Sequence, residues 1–202
     1  MTYVSLFEYS HLLERVLSTA IELKYSLKAL ETLIANSSFF RKIEKMGRTL
    51  PPTITDVELI KDIFVDINVD ISKIPEYVQC DWIAEAYITL QDSTHFTFET
   101  IFIYLPIAKM VSLFALYHEM SFSEIVNYFN DLYKEKSVLE ILMDSYGYSI
   151  RYVSNITGIP YSTIFNLKKR RRDIKKVSVD TVACIAKIFN VRVETIAELQ
   201  TY

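Results

Sequence analysis

Apolar residues recur along most of this chain at helical spacing. Leu6, Leu13, Leu17, Ile21, Leu27 and Leu30 fall near a 3.6-residue period and predict one long or two hinged helices over 4–46. Gly47 and "TLPPT" end that pattern. Thr55 followed by Glu58 forms a capping box, and Val57, Ile60, Phe64 and Ile67 stripe the helix behind it. "VDINVDIS" alternates apolar and polar, which leaves a short strand over 65–71 open. Pro75 suits the first turn of a helix carrying Tyr77, Trp82 and Ala86. Three more helices follow at 97–105, 106–120 and 122–133, with Pro106 at a first helical position and Ser121/Glu124 as a second capping box.

After the polar "YKEK" at 133–136 the helices become shorter. Val138, Ile141, Leu142 and Ser145 mark the first. Ser149 caps the second, with Ile150, Val153, Ser154 and Thr157 on one face. Gly158 permits a sharp turn, and Ile164 and Leu167 face inward on the third helix. Ser178 caps a fourth with Val179, Val182, Ile185, Ala186 and Phe189 inward. Asn190 suits a left-handed C-terminus, and "VRVETIAEL" makes the fifth. The expectation is an all-α chain, with a helical domain over 1–136 and a five-helix bundle with a helix-turn-helix over 137–202. No glycine- or serine-rich linker separates the two, so they are expected to be held rigidly.

Composition supports this reading. The chain is 50% hydrophobic and has only three glycines and five prolines, which excludes disorder and turn-rich β architecture. Charge divides it. Residues 1–136 carry 12 Lys and Arg against 19 Asp and Glu, a balance of −7; residues 137–202 carry 10 against 6, a balance of +4. Seven of those cations lie in the nine residues "KKRRRDIKK", 168–176. An acidic body with a basic end directs only the end toward a polyanion.

The pattern in "SIRYVSNITGIPYSTIFNL" and "VSVDTVACIAKIFNVRVETI" resembles the Xre/lambda-repressor-like helix-turn-helix family, over roughly the last third of the chain. That resemblance implies a sequence-specific DNA-binding transcriptional regulator of phage or mobile-element type, with double-stranded DNA as its partner. In such a motif the second of the paired helices enters the major groove by its N-terminal residues. With Ile164 and Leu167 inward, Tyr161, Ser162, Phe165 and Asn166 face outward. Asn166 suits a bidentate pair with adenine, and Tyr161 or Phe165 suits contact with a thymine methyl. Thr163 and Arg151 are placed for phosphate, and Lys168, Lys169, Arg170, Arg171, Arg172, Lys175 and Lys176 supply the electrostatic term.

Three positions depart from the family pattern: Ile150 in place of a common Gln, Pro160 in place of a polar residue, and Phe165 at an outward position. They favour the alternative, a protein-binding inhibitor or adaptor, for example of a nuclease or defence complex in the manner of an anti-CRISPR protein. A single head reads few base pairs, so a homodimer paired through residues 1–136 is expected, with helices such as 4–36 supplying the seam. The 9 Tyr and 10 Phe of that part leave aromatic surface for a partner or ligand.

Other chemistry is poorly supported. His11, His95 and His118 are scattered, and no HExxH, GxSxG, phosphate loop or DxDxDG loop is present, so neither catalysis nor a cofactor or metal is expected. The carboxylates of the N-terminal half read as a solvated helical surface. Cys80 and Cys184 form no metal-ligand spacing and read as reduced core residues. Pro106 and Lys109 interrupt the most apolar stretch, and acids lie within the first apolar run. No membrane span or signal peptide is expected, and the location is read as cytoplasmic.

Overall fold

Thirteen α-helices and no strand make up the described residues of the computed structural model, which are 6–46, 54–65 and 77–200. The chain is all-α. Apart from Val65, the open strand at 65–71 lies outside the described residues, as do Pro75 and the stretch from Gly47 to Thr53.

The first apolar stretch is three helices, α1 (Leu6–Glu22), α2 (Leu27–Asn36) and α3 (Ser38–Met46). Lys24, with φ 52°, turns the chain after α1, and Ser26 caps α2. Ser37 separates α2 from α3: its N–H bonds back to Leu33 and Ile34, while its Oγ accepts from Phe39 N. α1 packs against α4 (Asp56–Ile63) and α5 (Val78–Thr94), and Leu13, Val16, Leu17 and Ala20 are buried. It is a central helix, so its stripe is occupied by the core and is not available as a dimer seam; from Leu13 to Leu30, only Ile21 of the predicted stripe is exposed.

α6 (Phe98–Tyr104), α7 (Ile107–Tyr117) and α8 (Phe122–Glu135) complete the N-terminal part. Thr55 and Glu58 form the expected capping box. Ser121 and Glu124 do not: Ser121 Oγ accepts from Ser123 N, and Glu124 N bonds to the Ser121 carbonyl. Pro106 is the N-cap of α7, one residue before its first turn. No single helix among the described residues is long and apolar enough to cross a membrane; α6 and α7, which together have the length, are bent by 68°.

The acids of the N-terminal half are not all solvated. Glu14, Glu31 and Glu44 are buried. Glu31 accepts from Ile107 N at 2.8 Å and Glu44 from Phe98 N at 2.7 Å, so each meets the first N–H of a helix distant in sequence. The positive end of a helix stabilises a carboxylate there, and the carboxylate satisfies an orphan donor. Pro106 offers α7 no side-chain cap, and Glu31 takes that role.

The remaining helices are α9 (Val138–Tyr146), α10 (Ile150–Thr157), α11 (Tyr161–Lys168), α12 (Val179–Phe189) and α13 (Val193–Ile196), with a 3-10 turn at Ile174–Lys176. α9 packs on α6. Arg192 crosses the same junction, donating to Glu44 at 2.8 and 3.1 Å while its N–H reaches Glu99 at 2.9 Å. Gln200 Nε2 donates to the Thr94 carbonyl, beside an isolated bridge between Phe96 and Gln200.

Candidate nucleic-acid interface

The turn between α10 and α11 is fixed by short-range chemistry. Ser149 Oγ accepts from Tyr152 N at 3.1 Å and starts α10. Gly158 ends it with φ 71°; a Cβ there would meet nothing within 4 Å, so glycine is required by the backbone angle and not by space. Ser154 Oγ donates to the Ile159 carbonyl at 2.6 Å, and Thr157 Oγ1 accepts from Ile159 N at 3.1 Å. Val153, Ile164 and Leu167 are buried beneath the turn, which sets the angle between the two helices.

That packing turns the start of α11 outward. Tyr161 and Ser162 are exposed, and Thr163 and Asn166 are half-buried at its flank. The Asn166 side chain makes no hydrogen bond among the described residues, while its carbonyl accepts from Arg171 N at 2.8 Å and Arg172 N at 3.3 Å. The basic loop is thereby folded back over the end of α11. Phe165 is half-buried, and the Arg171 guanidinium lies 5.0 Å from its ring centroid. Phe165 is therefore a platform that orients Arg171, a use the sequence does not reveal.

The seven cations of the loop separate into two groups. Arg171, Arg172, Lys175 and Lys176 are exposed and make no ion pair within the described residues, as is Arg151 on α10. Lys168 and Lys169 are tied to α9, through Asp144 at 3.1 Å and through Glu140 respectively, and Arg170 turns inward to Glu198 at 2.9 Å. Burial alone would raise the Asp144 carboxyl. Hydrogen bonds from Lys168 and Lys136, and their charges, outweigh it and hold the group below its ordinary value. The acidic i, i+4 pair Glu140 and Asp144 was the available signal that part of the run has partners at home.

Residues 138–201 match the family model of the Cro/C1-type HTH DNA-binding domain. The match covers about a third of the chain and coincides with the part that bears the capped turn and the exposed cations. The C-terminal part of the protein thus carries an HTH DNA-binding domain. Comparison of the chain with characterised proteins and with solved structures gives no match.

A groove beside the HTH turn is lined by Thr157, Pro160, Thr163, Arg172, Ser178 and Cys184, among others. Cys184 is exposed there, contrary to the expectation of two core cysteines; Val179, on the same helix, is also exposed instead of inward. The apolar period identified one face of α12, where Val182, Ile185, Ala186 and Phe189 are buried, but Val179 at its first position lies outside the packed surface. Cys80 is buried, and burial, helped by the Glu14 charge and opposed by a hydrogen bond from Ser18, pushes its thiol up to about 11. The thiolate is the reactive form, so Cys80 stays protonated and inert near pH 8. Maleimide is expected to label Cys184 alone, and saturating duplex DNA to slow that labelling. Equal rates with and without DNA would place this groove outside the DNA footprint. Among the described residues, no group of three or more His, Cys, Asp or Glu is placed to hold a metal ion.

Proposed function

We propose that the protein is a sequence-specific DNA-binding transcriptional regulator, with residues 137–202 as its reading domain and residues 1–136 as a pairing domain. One observation carries the reading. A helix with an outward-facing polar start is followed, beyond Lys169 and Arg170, by four exposed cations that make no ion pair within the described residues, in the segment that matches an HTH DNA-binding family. Tyr161, Ser162 and Asn166 are the side chains placed to read base edges, and Arg171, Arg172, Lys175, Lys176 and Arg151 those placed to neutralise phosphates. The reaction is binding alone, in the cytoplasm where the operator lies. Phe165 lies beneath Arg171 and offers a poor anchor for a protein partner, which weakens the inhibitor or adaptor alternative.

The test is binding of the full-length protein to duplexes across a salt series. Four to five phosphate contacts predict a fall of about two to three orders of magnitude from 50 to 200 mM salt. Asn166→Ala is expected to cost about 1–3 kcal/mol at the preferred site and little on random sequence. Failure to bind any duplex at low salt would turn the assignment toward a protein target.

Pairing is proposed as a two-fold homodimer formed by α7. Its outer face exposes Ala108, Val111, Ser112, Ala115 and Leu116, with Met120 just beyond its end. Lys109 and Glu119 flank that face about ten residues apart. An antiparallel, two-fold pairing of α7 centred near residue 114 places Lys109 of each copy against Glu119 of the other, a self-complementary arrangement.

A further inference from the structure

Arg170 and Glu198 are both non-glycine residues in the left-handed backbone region, each with φ 50°, and their side chains meet. Arg170 Nη2 donates to Glu198 Oε2 at 2.9 Å and to the Tyr104 hydroxyl at 3.2 Å, and Nη1 donates to the Tyr133 carbonyl. Its guanidinium lies 4.2 Å from the Tyr133 ring centroid. Glu198 also accepts from the Tyr133 hydroxyl at 3.0 Å and from Val138 N at 2.9 Å, and the Tyr104 hydroxyl donates to the Lys136 carbonyl at 2.7 Å. Tyr104 belongs to α6 and Tyr133 to α8, both in the N-terminal part, whereas Arg170 belongs to the loop that leaves α11.

The consequence lies one residue further on. With Arg170 held inward, the chain must present Arg171 and Arg172 outward, and their N–H groups are pinned on the Asn166 carbonyl at 2.8 and 3.3 Å. A backbone angle that disfavours a side chain persists only where the surroundings impose it, and here the three partners of the Arg170 guanidinium do. Withdrawing Arg170 toward a phosphate would leave the largely buried Glu198 carboxylate without its cation, which is strongly unfavourable.

We infer that Arg170 is a positioning residue rather than a DNA contact, a latch through which α6 and α8 set the aim of Arg171 and Arg172, so that the packing of the N-terminal helices regulates DNA affinity. The inference rests on the DNA-binding reading above. Its physical basis is that one side chain joins the two parts at the point where the chain enters the phosphate-binding loop.

The test compares full-length wild type, Arg170→Gln, Tyr104→Phe and Arg172→Gln. It measures duplex affinity against salt and amide hydrogen exchange at residues 171 and 172. Among the described residues, Tyr104 hydrogen-bonds to the loop only through Arg170. Loss of a phosphate contact in Arg172→Gln is expected to reduce the log–log salt slope by about 0.9. Arg170→Gln and Tyr104→Phe are expected to keep the slope, weaken binding by about tenfold and threefold respectively, and speed exchange at 171 and 172. Combined, the two changes should be no worse than Arg170→Gln alone, because both open one latch. A reduced slope in Arg170→Gln identifies a phosphate contact and overturns the inference, as do unchanged affinity and exchange. Should Arg170→Gln fail to fold, Tyr104→Phe, which leaves the ion pair in place, decides by the same two readouts. Wild type that binds no duplex would defeat the DNA-binding reading, and loop exchange would still report on the latch.

Discussion

Replacing Arg171 and Arg172 together with alanine is expected to weaken binding to specific and random duplexes alike, by roughly 30-fold at 0.15 M salt. Each phosphate contact on B-DNA contributes about 0.9 powers of salt concentration, so two contacts remove about 1.8 from the log–log slope. Both residues are exposed and make no ion pair within the described residues, so no carboxylate among those residues competes for them. Lys168→Ala and Lys169→Ala should change the slope far less, since those side chains already neutralise Asp144 and Glu140. Filter binding over a salt series resolves the two groups. A slope lost in equal measure from both pairs would mean that the internal ion pairs open on DNA and that the loop acts as one undivided patch.

Leu116→Asp is expected to convert a dimer to a monomer and to weaken binding to a palindromic site by about 10²–10⁴-fold, while random-sequence binding per head changes little. The size of the effect comes from the second head. Once one is bound, the other faces its half-site at a high effective concentration, and a monomer loses that gain entirely. Leu116 is 66% exposed, so an aspartate there does little to the monomer's own core and buries a carboxylate in the apolar seam only in the paired state. Light scattering gives the oligomeric state. With Cys184 changed to Ser, Ala115→Cys, one residue from the centre of the pairing, should form an intermolecular disulfide near the two-fold axis. A wild-type monomer at micromolar concentration with DNA present, or no cross-link from Ala115→Cys in a dimer, would remove α7 from the seam.

The sequence by itself determined what depends on neighbours a few residues apart. The Thr55–Glu58 box, the Ser149 and Ser178 caps, and the left-handed turns at Gly158 and Asn190 each involve atoms within about one helical turn, and all are present. Ile164 and Leu167 lie inward, as their spacing requires, and the order of the five C-terminal helices follows. Hydrophobic period fixes which residues share a face. It does not say what covers that face, which is why the stripe of α1 became core, α7 kept its outer apolar face, and Val179 and Cys184 remain exposed. Charge counting likewise identified the basic run but could not separate Arg171, which points out over Phe165, from Arg170 beside it, which points in to Glu198 28 residues away. The same limit applies to Glu31, which meets the start of α7 76 residues on, and to Glu44, which meets Arg192 148 residues on. A carboxylate's partner at that separation is chosen by the packing of whole helices, since burial leaves the charge uncompensated unless the fold brings a donor to it, and only the tertiary structure decides which donor that is.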